Sequence, residues 1–404
     1  MTDPDPDPRD PVALARALVR CPSITPEEGG ALQLTERTLR SLGANVERPV
    51  FEAAGTAPVE NLFASVGPRD GPHLMFAGHT DVVPPGDDAS WSEPPFAANV
   101  RDGAVFGRGV EDMKGGVAAF IAAIARLCER EALPGRVSFV VTGDEEGPAI
   151  NGTVKLLEWA HGRGERFDAA IVGEPTNASE LGDTIKVGRR GSLTGALRVR
   201  GTQGHAAYPD RADNAVRGMT ILLDALMREP LDAGTDRFEP SNLEVTTVDV
   251  GNPATNVVPG LAEATFNVRH NDTWTTASLK AEIMARCAAA AKRPNVLRGR
   301  SDAIRWSIDW REPASPVFLT RDDDLIAALS EAVRGAVGRT PALATGGGTS
   351  DARFIQDYCP VVEFGLVGRT MHQIDERVPV AEIEQLADIY ERFVLGWFAR
   401  QTVR

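Results

Sequence analysis

Residues 74–87 read LMFAGHTDVVPPGD, and the fold turns on how this stretch is taken. An apolar run of strand length stops at His79, Asp81 follows two residues later, and a Pro-Pro-Gly turn closes the segment. Further runs have the same grammar: NLFASVG, RVSFVVTGDEEG and FDAAIVGEPT, each largely apolar and each ended by glycine or acidic residues. Strands covered on both faces read this way. Between them, GGVAAFIAAIARLCER and TVKLLEWAHGRG carry apolar residues at helical spacing. Strand alternating with helix predicts an α/β sheet, and the helices VALARALVRC and ALQLTERTLRSL ahead of it predict a covering layer.

The texture changes near Lys186. KVGRRGSLTGALRVRGT, LEVTTVDVGN and LAEATFNVRHN alternate apolar with polar residues, as strands with one exposed face do, and DNAVRGMTILLDALM and TASLKAEIMARCAAAAK supply helices. The first style then returns with the helix DLIAALSEAVRGAVG, the strand VVEFGLV and a closing helix VAEIEQLADIYERFVLGWFAR. The economical organisation is one α/β domain over residues 1–187 and 304–404, interrupted by a smaller α+β domain over residues 188–303.

Composition narrows the function. With 404 residues and 42% hydrophobic content, the chain can bury a large core in two compact units. A net charge of -14 and a pI near 5.0 argue against a nucleic-acid backbone or an anionic membrane surface, leaving small molecules as the ligands to consider. Cys21, Cys128, Cys287 and Cys359 stand far apart with no CxxC pair. Neither a thiolate zinc site nor a disulfide framework is indicated, and a reducing cytoplasm suits them. The opening MTDPDPDPRDP is acidic and Pro-rich, unlike a signal peptide, and reads as a frayed tail. No apolar run reaches the length of a membrane-spanning helix.

Chemistry collects at the strand ends. Residues two apart on an extended chain face the same side, so Asp81 can accept one ring N–H of His79 and leave the other nitrogen for a metal ion. Acidic residues recur at comparable places: Asp112 in FGRGVEDMKGG just before a helix, Glu145 and Glu146 after VSFVVTGD, and Glu174 after DAAIVG. His372, in GLVGRTMHQID, follows VVEFG. Polar groups beyond the carboxyl ends of parallel strands face one crevice, where such sheets bind ligands. Any one of these carboxylates could be a helix cap or a solvated loop residue; the group as a whole fits that reading poorly. Two histidines and three carboxylates around two divalent cations leave one positive charge, which a hydroxide would balance. Nitrogen and oxygen donors without sulfur favour zinc, with cobalt or manganese as alternatives. The pair Glu145-Glu146 supplies one ligand and one spare carboxylate to carry a proton.

GHTDVVPPGD, GRGVEDMKGG, TGDEEG, VGEPT and MHQIDE stand in the order and rough spacing of the dizinc aminoacylase and carboxypeptidase family of amidohydrolases, which the chain resembles from about His73 to its C-terminus. The resemblance implies an α/β, zinc-peptidase-like catalytic domain with a mixed central sheet flanked by helices, and an inserted α+β domain for closure and dimerisation, hence a homodimer. It implies that His79 and Glu174 hold one zinc ion, that Glu146 and His372 hold the other, and that Asp112 bridges them, cobalt being acceptable in one site. By the same resemblance Asp81 orients His79, and Glu145 is the general base. His205 of GTQGHAAYP would reach the site of a second copy to stabilise a tetrahedral oxyanion; a turn cap is its plain alternative.

A further set of motifs resembles the desuccinylase branch of that family: WSEPPFAANVRDGAVFGRGVEDMKG, NGTVKLLEW, KVGRRGSLTGAL, GHAAYPDRADN, NVVPG and GGGTSDARFI. Substrates of that branch carry carboxylates on both sides of the amide, so fixed cations and neutral donors are needed. Arg189, Arg190, Arg269 and Arg353 stand in motifs suited to the first role, and Tyr208, Asn256, Thr349 and Ser350 to the second. Strand arginines are also often just solvated, and GGGTSD, lacking the lysine of a phosphate loop, could be only a tight turn. Gly368 departs from the branch, where an Asn often stands, so a succinyl group would be held differently here. Deacetylases, aminoacylases and dipeptidases on the same scaffold are the nearest rivals. A metal-binding scaffold without catalysis would have no need of Glu145, and no GxSxG elbow supports a serine hydrolase.

Overall fold

The apolar runs become strands of one eight-stranded sheet: β1 (Asn45–Glu47), β2 (Leu62–Val66), β3 (His73–His79), β4 (Arg136–Thr142), β5 (Ala169–Val172), β6 (Thr184–Lys186), β7 (Ala342–Ala344) and β8 (Val361–Glu363). Their spatial order is β1-β2-β4-β3-β5-β8-β6-β7. The middle four, β4-β3-β5-β8, run parallel, while β1, β2 and β6 join through antiparallel pairings, so the sheet is mixed. Every residue of β3 and β5 is buried, the reason these segments read as unbroken apolar runs. This is the computed structural model of the chain; it describes residues 5–131, 133–292 and 302–402.

Helices α1 (Pro11–Val19), α2 (Ala31–Ser41), α3 (Gly115–Glu129), α4 (Thr153–Gly162), α5 (Asp323–Val337) and α6 (Val380–Gln401) flank the sheet. Helix α3 packs on β3 and against α1 and α6, and α2 and α4 pack on β2 and its neighbours. Phe76 of β3 stacks on Phe120 of α3 at 4.2 Å between centroids, with Phe139 and Tyr390 edge-on to Phe120. The Tyr390 hydroxyl donates to the Phe364 carbonyl at 2.6 Å, so this aromatic core also fixes the chain leaving β8. Among the described residues no helix is long and apolar enough to cross a membrane.

The expected frayed tail needs correction. Residues 1–4 lie outside the described residues, but Asp5 pairs with Arg37 at 3.0 Å and Asp10 caps α1, accepting from the N–H groups of Val12 and Ala13. The acidic residues that suggested solvation find a guanidinium and a helix N-terminus instead.

Residues Gly188–Leu319 with Thr345–Thr349 form a second compact unit. Its antiparallel sheet runs in the order Asn242–Asp249, Leu261–His270, Gly191–Arg200, Arg305–Ser315. Alternating burial along the two inner strands turns Leu193, Leu197, Phe266 and Val268 toward the helices Ala215–Met227 and Thr276–Lys292. The structure carries this unit through Leu319 rather than to residue 303, because the strand Arg305–Ser315 pairs with Gly191–Arg200. Residues 293–301, beside the expected boundary, lie outside the described residues. The missed strand had a signal: Trp306, Ile308 and Trp310 alternate and face Val199, Leu197 and Gly195.

Asp232 ties this unit together. Its carboxylate accepts from the N–H of Gly234 and Ser241, the Asn271 amide and the Trp274 indole at 2.6–3.1 Å. Burial opposes the charge, but hydrogen bonds led by Ser241 and Trp274 outweigh it and lower the pKa to about 2. A depressed folded-state pKa stabilises above the ordinary carboxylate range and loses that contribution as pH falls toward 2. We therefore expect D232N to cost the unit about 2 kcal/mol at neutral pH and to flatten its loss of stability between about pH 4 and 2, as read by thermal unfolding against pH.

Candidate metal centre

The site stands where the parallel strands end. His79 is the last residue of β3, Glu145 and Glu146 follow β4, Glu174 follows β5, and His372 lies in the loop after β8. Asp112 comes from the turn just before α3, and the side chain of the neighbouring Met113 seats on glycines at two strand ends. A Cβ on Gly78 would lie 2.6 Å from Met113 Cε, and one on Gly173 would lie 2.8 Å from the same atom. The Met113 side chain would have to move for a larger residue at either place, whereas the start of α3 itself approaches closely at Gly116, where a Cβ would lie 2.5 Å from the Gly173 carbonyl oxygen.

Asp112 sits between two histidines. Its Oδ1 is 3.0 Å from His79 Nε2, and its Oδ2 is 3.3 Å from His372 Nε2. Glu174 Oε1 lies 3.8 Å from His79 Nε2, and Glu146 Oε1 lies 2.8 Å from His372 Nε2. Two groups of candidate ligands result, His79-Asp112-Glu174 and Asp112-Glu146-His372, each with its donor atoms within 4.8 Å of one another. They share one carboxylate and divide its oxygens, which fits a pair of divalent cations joined by Asp112. A third group of that kind, His79-Glu145-Glu146, adds Glu145. The donors are nitrogen and oxygen, a set that suits zinc, cobalt or manganese. His79, Asp112 and Glu174 are buried, Glu145 and Glu146 half-buried, and His372 exposed, so the centre opens on the His372 side.

Asp81 acts differently from its expected role. The ring of His79 contacts its main-chain carbonyl, with Nδ1 at 2.9 Å from that oxygen, whereas the carboxylate stands 3.7 Å from Nδ1. The carboxylate is turned to the N–H groups of Glu145 and Glu146, at 3.3 and 3.0 Å. The carbonyl still places the proton on Nδ1 and leaves Nε2 as the free donor atom. Asp81 thus anchors His79 with its backbone and the Glu145-Glu146 pair with its side chain.

Charge is concentrated here against the cost of burial. For Glu145 and Glu174, burial and neighbouring carboxylates raise the pKa well above the ordinary range. For His79, burial disfavours the charged ring, yet the hydrogen bond to Asp112 and the surrounding carboxylates raise its pKa well above the ordinary value. Hydrogen bonds to Asp112 and Glu146 push His372 up to about 10, and the two histidines hold Asp112 low. Burial lifts Asp81 to about 6. Perturbation on this scale, gathered at one strand-end crevice, marks a functional centre.

Sequence reasoning missed several residues that hold this arrangement. Asp144 accepts from the N–H groups of Ala149, Ile150 and Asn151 and so folds the loop behind Glu145 and Glu146. An aspartate opening a Gly-Pro loop is a turn signal that could have found it. Glu376, Arg108 and Glu111 form a buried set beside Asp112.

The expected substrate residues fall into two sets. In the first unit Ser350 is buried and its hydroxyl donates to Glu363 Oε1 at 2.8 Å. Arg353 is half-buried, with its guanidinium 4.5 Å from the Phe354 ring centroid. In the second unit Arg189 donates to the Gly348 carbonyl at 2.9 Å, beside the exposed Thr349. Arg190 donates to Asn242 Oδ1 at 3.1 Å, and Arg269, half-buried, has its pKa lowered by burial and by the nearby Arg190. His205, Tyr208 and Asn256 are exposed together: the rings of His205 and Tyr208 are 5.5 Å apart, and the Ala206 N–H donates to the Asn256 carbonyl. His205 Nδ1 accepts from the Ala207 N–H at 3.1 Å, a turn contact that leaves Nε2–H as an outward donor. At Gly368 a Cβ would stand 3.3 Å from the Pro175 carbonyl oxygen and 3.8 Å from Met371 Cε.

The fold is shared with solved structures. The aminopeptidase PepT from Bacillus cereus is 20% identical with a TM-score of 0.78, over 97% of this chain and 99% of that one. A metallo-carboxypeptidase from Sulfolobus solfataricus is 16% identical with a TM-score of 0.74, over 96% and 99%. Human carnosine dipeptidase 1 is 18% identical with a TM-score of 0.71, over 97% and 96%. Residues 75–396 match peptidase family M20/M25/M40, and that span contains all the candidate ligands. The chain belongs to this family and is a metal-dependent hydrolase of peptide or amide bonds.

Proposed function

We propose that the chain hydrolyses the amide of N-succinyl-LL-2,6-diaminopimelate to succinate and LL-2,6-diaminopimelate, a step of diaminopimelate and lysine biosynthesis. The observation that carries the reaction type is Asp112, with one oxygen toward each of two ligand groups and Glu145 beside them. The substrate rests on the sequence motifs that resemble the desuccinylase branch.

In this reading His79, Glu174 and Asp112 would hold one zinc ion, and Glu146, His372 and Asp112 the other. Bound there, the cations would polarise the amide carbonyl and lower the pKa of water. Glu145 takes one proton on its carboxylate as the water oxygen bonds to the carbonyl carbon. It returns that proton to the amine nitrogen as the C–N bond breaks. Asp81 keeps Glu145 in place through its main-chain N–H. The chain works as a homodimer in this reading, with His205 of each copy donating to the developing oxyanion of the other.

A second reading, a different acyl amino acid or a short peptide cut by the same centre, is favoured by Gly368. It offers no side chain to hold a succinyl carboxylate, and a Cβ there would stand only 3.3 Å from the Pro175 carbonyl oxygen.

Two outcomes are expected. Chelation should abolish hydrolysis and zinc restore it, while E145Q should keep two cations and lose about 100- to 10,000-fold in kcat. Loss of cations from that variant, or near-normal turnover, would remove Glu145 from the proton-carrying role. In a panel of N-succinyl-LL-diaminopimelate, N-acetylornithine and dipeptides, the succinyl substrate should give the highest kcat/KM. A higher value for an acetyl substrate or a dipeptide would keep the reaction type and reject the substrate.

A further inference from the structure

The Asp112 turn and the His372 loop hold each other through buried charged side chains that no step of the proposed reaction uses. Glu376 is fully buried, four residues beyond His372. Its Oε1 accepts from the main-chain N–H of Glu111 at 2.9 Å and of Asp112 at 3.4 Å. Its Oε2 accepts from the Gly109 N–H at 3.0 Å and from Arg108 Nη1 at 2.7 Å. Arg108, also buried, returns the contact by donating to the carbonyls of Gln373 at 3.2 Å and His372 at 3.4 Å. Glu111 reaches the same loop, accepting from the N–H of Thr370 at 2.9 Å and from its hydroxyl. Residues 108–112 and 370–376 thus grip one another from both sides, and each stretch carries a candidate ligand of the same cation.

Stability alone does not call for charges here. A buried ion pair is often no more stabilising than an apolar pair of similar volume. An apolar side chain, however, could not collect the N–H groups of Gly109, Glu111 and Asp112 at one point; a carboxylate can, through charge-assisted hydrogen bonds that fix direction as well as distance. The His372 loop needs outside support, since His372 itself is held at φ +62°, a left-handed conformation uncommon for a residue other than glycine. By contrast, His79 sits in a paired strand of the sheet and Glu174 two residues beyond another.

We propose that Glu376 is a positioning residue that sets the spacing of Asp112 and His372, and with it the affinity of the cation held by Asp112, Glu146 and His372. The inference rests on the two-cation reading of the centre. Its test is cobalt(II) titration of the metal-free wild-type chain and of E376Q, followed by visible absorption and by bound-metal content, with melting temperature measured in parallel. Gln keeps the volume but gives up the charge and turns an amide N–H₂ toward donors. We expect the wild type to take two cations and E376Q to bind the first with similar affinity. The second should bind at least about tenfold more weakly in E376Q, with a changed absorption band.

Unchanged affinities and spectrum would overturn the inference. Equal weakening of both cations together with a fall in melting temperature would also overturn it, by making Glu376 a general stabiliser. Should E376Q fail to fold, E376D, which keeps the charge but draws the carboxylate back from the Gly109, Glu111 and Asp112 N–H groups, should show a smaller loss confined to the second cation; no loss would overturn the inference. A wild type that takes fewer than two cations would overturn the two-cation reading and this inference together.

Discussion

One carboxylate facing two imidazoles is the constraint round which the first unit is arranged. Asp112 presents Oδ1 to His79 and Oδ2 to His372, at 3.0 and 3.3 Å, and those histidines come from segments 293 residues apart in the chain (372 minus 79). Bringing them together needs a parallel sheet whose strand ends open on one side. It also needs α3 to start close to the sheet, which Gly116 allows: a Cβ there would lie 2.5 Å from the Gly173 carbonyl oxygen. The aromatic stack of Phe76 on Phe120 keeps α3, which follows the Asp112 turn, against β3.

The same constraint makes the centre costly. Two unit charges of like sign 4 Å apart repel by about 4 kcal/mol at an effective dielectric of 20. Three or four such pairs would rival the roughly 5–15 kcal/mol that stabilises a whole domain. A fold can hold such a group only by protonating some members or by binding cations. The raised pKa values of Glu145 and Glu174 are the first response. The division of donor atoms into two groups with a shared carboxylate is what the second requires. Stability given up at this point is offset by the apolar sheet and helices beneath it.

Much of this was legible in the sequence, because it lies in local patterns. Buried strands leave continuous apolar runs, and the residues that follow them, His79, Glu145, Glu146 and Glu174, could be named from position alone. Asp112 was marked by its glycine-rich turn ahead of a helix. What escaped notice depends on contacts distant in the chain. Glu376 and Ser350 look like surface residues until the fold buries them, since nothing local distinguishes a carboxylate that collects remote N–H groups from one that meets water. Asp81 was placed beside His79 correctly, but a spacing of two cannot say whether carbonyl or carboxylate makes the contact. The strand Arg305–Ser315 was legible but passed over: Trp306, Ile308 and Trp310 alternate with polar residues as in the other strands of its sheet.

The most direct measurement of the central claim is X-ray diffraction from zinc-loaded crystals at the zinc absorption edge. Two anomalous peaks are predicted, one within bonding distance of His79 and Glu174, the other of Glu146 and His372, and each bonded to a different oxygen of Asp112. A single peak, or two peaks of which either lacks Asp112, would contradict the account.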